Sequence, residues 1–167
     1  MNTWKTLGAG ALLSVAALLA QAQELKIGYV NSERVLREAE PAKRAQAKLE
    51  AEFGKREKDL AEQANRLKAA ADKLERDAPT LSEAEKNRRQ RDLVEQDRDF
   101  QRKRREFQED LNQRKNEELA TVVERANKVI KQIFDQEKYD LIVQDAVHWS
   151  PRVDITKKVI DALNAGK

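Results

Sequence analysis

Asp145, His148 and Ser150 are the residues whose types come nearest to a nucleophilic catalyst, and His148 is the one histidine among 167 residues. An imidazole held between a carboxylate and a hydroxyl can take the hydroxyl proton, but only where a donor pair also waits for the oxyanion. Here the three groups fall within six residues, on a turn and a strand end, with no such donors and no second base. His148 therefore reads as a structural or surface histidine. The neighbouring acids Glu117 and Glu118 read as helix-surface charges and not as an acid/base dyad. The absence of cysteine excludes a thiolate nucleophile, a disulfide framework, a cysteine zinc site and a lipid-bearing cysteine. Gly28 belongs to no phosphate loop. No catalytic residue, cofactor or metal is expected.

Phosphate chemistry is the next possibility. Lys86, Arg88, Arg89 and Arg91 form one basic cluster, and Arg98, Arg102, Lys103, Arg104 and Arg105 another. Such runs attract anions. Acids interleave with them (Glu83, Glu85, Asp92, Glu95, Asp97, Glu106), and no aromatic stacking residue is interleaved apart from Phe100, which belongs to a heptad stripe. Physiological nucleic-acid binding is not expected; an anionic lipid surface is the better match.

What must position these groups follows from composition. Charged residues make up 38% of the chain, yet 33 bases nearly cancel 30 acids, for a net charge of +3. With five glycines, three prolines and 5% aromatics, this is the material of long charged helices. The first 22 residues stand apart. Lys5 precedes an uncharged apolar run, Leu7 to Leu19, and Ala20-Gln21-Ala22 is a small-x-small site, the pattern of a cleaved secretory signal peptide. The run is shorter than the roughly 20 residues that span a bilayer.

In the remaining chain, Leu25 to Val30 alternates as a strand, and Ser32 is expected to cap a short helix, Glu33 to Ala39. A long helix is expected over 42–78. Pro79 breaks it, and Ser82-Glu83-Ala84-Glu85 has capping-box spacing, so a second helix starts there and runs to about Gln136. Phe53, Leu60, Leu67 and Leu74 recur every seven residues, with Leu49 one turn before; Leu93, Phe100 and Phe107 do the same, with Leu111 one turn after. Folding the chain back near residue 80 sets Leu67 against Leu93, Leu60 against Phe100, Phe53 against Phe107 and Leu49 against Leu111. The two stripes make the seam of an antiparallel helical hairpin.

The second helix changes character along its length. From Ser82 to Glu118, 22 of 37 residues are charged, whereas from Leu119 to Phe134 nine of 16 are apolar and lie on two faces. A helix apolar on two sides must be buried against more than one neighbour. Tyr139 to Val143 reads as a buried strand and Ala146 to Trp149 as a third, followed by a terminal helix with Asp154 as N-cap and Ile155, Val159, Ile160 and Leu163 on one face. The fold class expected is α+β, mostly α. An arm over 42–118, turning near 79–81, projects from a small β-rich body built from 23–41 and 119–167. Ile27, Tyr29, Val30, Val122, Val129, Ile133, Leu141, Ile142 and Val143 are the expected oligomerisation residues, because unpaired edges and a two-faced helix call for self-association as dimer, trimer or tetramer.

A signal peptide, Lys-Ile-Gly-Tyr-Val-Asn (26–31), a long charged hairpin, Tyr-Asp-Leu-Ile-Val (139–143) and Asp-Ile-Thr-Lys-Lys-Val-Ile-Asp-Ala-Leu (154–163) together make a chain that resembles the Skp/OmpH family of periplasmic chaperones. The resemblance implies a homotrimer whose helical arms surround a cavity and hold unfolded outer-membrane proteins without ATP. It also implies lipopolysaccharide contact by basic residues on the arms, where Lys86, Arg88 and Arg89 stand near the tip. The rival expectation is a structural coiled-coil scaffold of the envelope that docks one folded partner.

Overall fold

The computed structural model describes residues 25–166. The signal-peptide segment, 1–22, lies outside the described residues. Strand β1 (Ile27–Tyr29) leads into helix α1 (Ser32–Glu38) and then α2 (Glu40–Asp77). A single 3-10 turn, Ala78–Thr80, reverses the chain into α3 (Glu83–Glu137), after which come β2 (Leu141–Val143), a second 3-10 turn (Pro151–Val153) and α4 (Thr156–Ala165).

Local chemistry explains most boundaries. The Ser82 hydroxyl accepts the Glu85 N–H, so the hydroxyl half of the capping box expected at the start of α3 forms, while the Glu85 carboxylate pairs with Arg88 and Arg89 instead of reaching back. Lys138, left-handed at φ 54°, ends α3 with its N–H donated to the Phe134 carbonyl. Two caps differ from expectation. Asn31, and not Ser32, caps α1, its Oδ1 accepting the Arg34 N–H at 2.8 Å. Asp154 acts from one residue further back than a formal N-cap: its Oδ1 accepts the Thr156 N–H at 2.8 Å while Ile155 holds the cap position.

β1 and β2 pair in parallel, Ile27 with Leu141 and Tyr29 with Val143. Parallel neighbours need a crossover connection, and here the whole helical hairpin is that connection. The expected third strand, Ala146 to Trp149, does not form. β2 takes one edge of β1, and the segment at Asp154–Ile155 takes the other, with the Ile155 N–H donated to the Tyr29 carbonyl at 2.9 Å. Residues 144–153 must therefore cross over β1 instead of joining the sheet. Asp145, at φ 27°, turns the chain, and Trp149 stacks on Tyr29 with ring centroids 4.1 Å apart as it passes.

The core sits where these ends meet the base of α3. Val30, Val35, Ala39, Ile133, Val159 and Leu163 are buried together, with Tyr139 and Ile155 closing it below. Gly28 is needed here for close approach. A Cβ would stand 3.1 Å from Ile155 Cδ1 and 3.2 Å from both Ile142 and Tyr139, tighter than nine in ten real contacts.

Candidate functional site: the helical arm and its base

α2 and the first part of α3 lie antiparallel and stand off the body. At about 1.5 Å per residue, the 38 residues of α2 extend roughly 57 Å. The base of this arm is tied to the body once and then held together across its two helices twice. Ala39 offers α2 no side-chain cap, so Asn164 of α4 supplies one, its Oδ1 accepting the Glu40 N–H at 2.8 Å. About two turns further along α2, Lys48 at 3.4 Å and Arg114 at 2.7 Å hold the buried Glu118. Above that, Phe53 and Phe107 meet edge to face with centroids 5.9 Å apart. The Arg56 guanidinium lies over both rings and is paired with Asp110 at 2.8 Å.

The placement of Glu118 corrects the expectation that Glu117 and Glu118 are both surface charges. Glu118 follows Leu111 by seven residues and precedes Val122 by four, so heptad position carries it onto the inner face regardless of its charge. The heptad register carries that signal in the sequence, whereas the Glu117-Glu118 pair by itself points to the surface. The Asn164 cap, by contrast, carried no local signal.

Along the outer arm the seam thins. Phe53 is buried, whereas Leu49, Leu60, Leu67, Leu74, Leu93, Phe100, Phe107 and Leu111 are all half-buried. Leu74 shares a hollow with Leu93, so seam residues interdigitate as well as face the partners expected above. Between successive apolar positions stand Arg56, Gln63 and Ala70 on α2, and Gln96, Lys103 and Asp110 on α3. At the tip, Arg89 is paired with Asp77 at 3.2 Å and Glu85 at 3.0 Å, and Arg88 with Glu85 at 3.0 Å. Hydrogen bonds from Arg89 and Arg88 hold the Glu85 carboxyl below its usual range. Of the three basic residues named for anionic lipid, Lys86 is the one without an ion pair among the described residues.

The residues expected to build an oligomer fall into two groups. Tyr29, Val30, Val122 and Ile133 are buried within the single chain, and Val129, Ile142 and Val143 are partly buried. Ile27 at 39% and Leu141 at 49% exposure face outward side by side, next to Leu25 at 68%. Leu119 and Val123, at the root of the arm, are also exposed. A hollow of about 140 Å³ lies beside them, lined by Val30, Val35, Leu36, Val123, Ala126 and Ile130 among others.

His148 is exposed, and no hydrogen bond joins it to Asp145 or Ser150 among the described residues. Nor is any group of three or more His, Cys, Asp or Glu among those residues placed to hold a metal ion. No described helix is long and apolar enough to cross a membrane.

Residues 26–163 match the family model described as outer membrane protein (OmpH-like). A chaperone protein Skp from Yersinia enterocolitica is 28% identical over 162 residues, covering 96% of this chain and 98% of that one. A chaperone protein Skp from Photorhabdus luminescens is 31% identical over 133 residues, 78% of this chain and 79% of the relative. In three dimensions, an OmpH-like chain from Caulobacter crescentus CB15 superposes with a TM-score of 0.67 at 20% identity, over 84% of this chain and 85% of that one.

Proposed function

The chain belongs to the OmpH-like family, and on that premise we propose that it is an ATP-independent holdase of the periplasm, which keeps unfolded outer-membrane β-barrel proteins from aggregating between its helical arms. No bond is made or broken in this reading. The observation that carries it is the contrast between a tightly packed body and a long arm whose surface is almost wholly charged or small. Among the described residues of the arm, Val94 is the one large hydrophobic side chain left exposed. A scaffold protein docking one folded helix would need an apolar stripe there. Many weak contacts with a disordered client need only charges, alanines and shallow apolar sites.

The body would join copies of the chain into a homotrimer. Its exposed Leu25, Ile27, Leu141, Leu119 and Val123 call for cover, and the open edge of β2 calls for a partner. Lys86 would lead any contact with lipopolysaccharide or an anionic membrane surface, since Arg88 and Arg89 already face acids.

The deciding measurement dilutes a urea-unfolded outer-membrane barrel protein with and without the mature chain (23–167) and follows light scattering. Suppression at one trimer per client is expected; undiminished aggregation would end the proposal. Native mass by sedimentation gives the copy number. Deleting 43–117 and joining the ends should leave an oligomer that no longer protects clients.

A further inference from the structure

The arm is not uniformly zipped. Every hydrogen bond and ion pair between its two helices lies at the base (Lys48–Glu118, Glu52–Arg114, Arg56–Asp110) or at the tip (Asp77–Arg89). Between them, residues 57–76 and 90–109 make no cross-helix polar tie. That gap runs for about 30 Å along the arm. The ion pairs in the gap run along their own helix: Glu62 with Arg66, Asp99 with Arg102 and Lys103, Arg102 with Glu106. Those pairs survive if the helices part, whereas the ties at the base and tip would break. Leu60, Leu67, Leu74, Leu93 and Phe100 in the gap are half-buried. Hollows open beside them, one against Ala70, Leu74, Leu93 and Gln96, another against Leu60, Gln63 and Lys103. Ala61, Ala64, Ala69, Ala70 and Ala71 keep this stretch of α2 low.

We infer that the middle of the arm is itself a client-binding surface: its helices part to admit an extended, unfolded segment with recurrent apolar side chains, which lies along Leu60, Leu67, Leu93 and Phe100. The occupant's chemistry follows from the geometry. Removing one apolar side chain per heptad from its partner leaves a row of sites about 10.5 Å apart with charged lips on both sides, and an extended chain, rising about 3.4 Å per residue, can offer each site an apolar side chain about every third residue. A helix with a broad apolar face would bury the lip charges. The fixed base and tip let the opened stretch close again without losing register. This inference rests on the holdase reading and names where in the arm the client is held.

The test uses the absence of native cysteine. Ala70→Cys with Gln96→Cys places a thiol pair across the middle, and Arg56→Cys with Asp110→Cys places one across the base; a short bismaleimide then staples either. Helix content by circular dichroism verifies that each full-length variant is folded. Before stapling, each variant's protection of a urea-diluted outer-membrane barrel protein is measured beside the native chain and serves as that variant's own reference. After stapling, the middle pair should weaken capture by about tenfold, while the base pair leaves it within about twofold. Full protection by the middle-stapled protein would overturn the inference and leave the holdase reading intact. Failure of both unstapled variants and of the native chain would overturn the holdase reading, and this inference with it.

Discussion

The body and the arm are built from the same long helix, α3, yet they hold together by different physics. Near the body, α3 presents Val122, Ala126 and Ile133 to other elements, and all three are buried. Side chains there are fixed by contacts on several sides, as in the interior of any domain. Out along the arm the same helix has one neighbour, and each seam residue is half-exposed. Ion pairs between exposed side chains add about 0–1 kcal/mol each. The difference teaches that stability in this chain is concentrated at one end, and that the arm can loosen without the body noticing.

The largest blow should fall in the body. Leu163 is 4% exposed in the core cluster, so Leu163→Ala should cost about 3 kcal/mol by leaving a cavity. Thermal unfolding at fixed protein concentration should show a lower midpoint for body and arm together. Phe53→Ala should cost about 2 kcal/mol, since it removes a ring packed edge to face on Phe107 and the seat of the Arg56 guanidinium. Its effect should stay in the arm: hydrogen exchange should quicken in residues around 45–60 and 104–114 while amides of α4 keep their protection. Equal loss in α4 would show that the two regions are one cooperative unit and break the comparison.

Smaller still is Gly28→Ala, expected to cost about 1–2 kcal/mol because Ile155, Ile142 and Tyr139 must all give way. Chemical denaturation should show it without loss of helix in the arm. Last comes acid. Burial pushes the Asp154 carboxyl up, but hydrogen bonds from Thr156 and Trp149 and the nearby Arg34 charge outweigh it and hold the group below its ordinary value. A carboxyl lowered in the folded state contributes stability that is fully present above its unfolded value, near 4, and lost as pH falls through the folded one. The wild-type midpoint should therefore drop as pH goes below about 4. Asp154→Asn should flatten that drop and cost about 1 kcal/mol at neutral pH. An unchanged acid profile in the variant would mean that other carboxylates, Glu137 with Lys158 or Glu38 with Arg34, govern the acid response.

Much of the arm was legible before any coordinates. Pro79, the Ser82-to-Glu85 cap and the seven-residue spacing of Leu and Phe place both helices and the reversal to within a few residues, because each is a statement about groups one to seven positions apart. The candidate site is legible in its Phe53–Phe107 contact and in the heptad position that turns Glu118 inward, but not in the Lys48 ammonium that reaches across from the other helix to pair with it. Basic clusters near the tip looked like an anion site in the sequence. In three dimensions Asp77, twelve residues from Arg89, turns that residue inward.

The body shows the opposite balance. Short strands such as 25–30 and 139–143 announce themselves by β-branched and aromatic residues, but nothing local says that β1 lies between β2 and the segment at 154–155, or that 146–149 is a crossing and not a strand. Pairing over more than a hundred residues is decided by which edges remain open after everything else has packed. The sequence by itself determined periodicity, capping and reversal, since those depend on neighbours along the chain. Tertiary structure alone decided which edge is paired, how closely Ile155, Ile142 and Tyr139 press on position 28, and that Asn164, near the far end of the chain, caps the first turn of the arm. Those depend on the space and the unpaired groups that other elements leave behind.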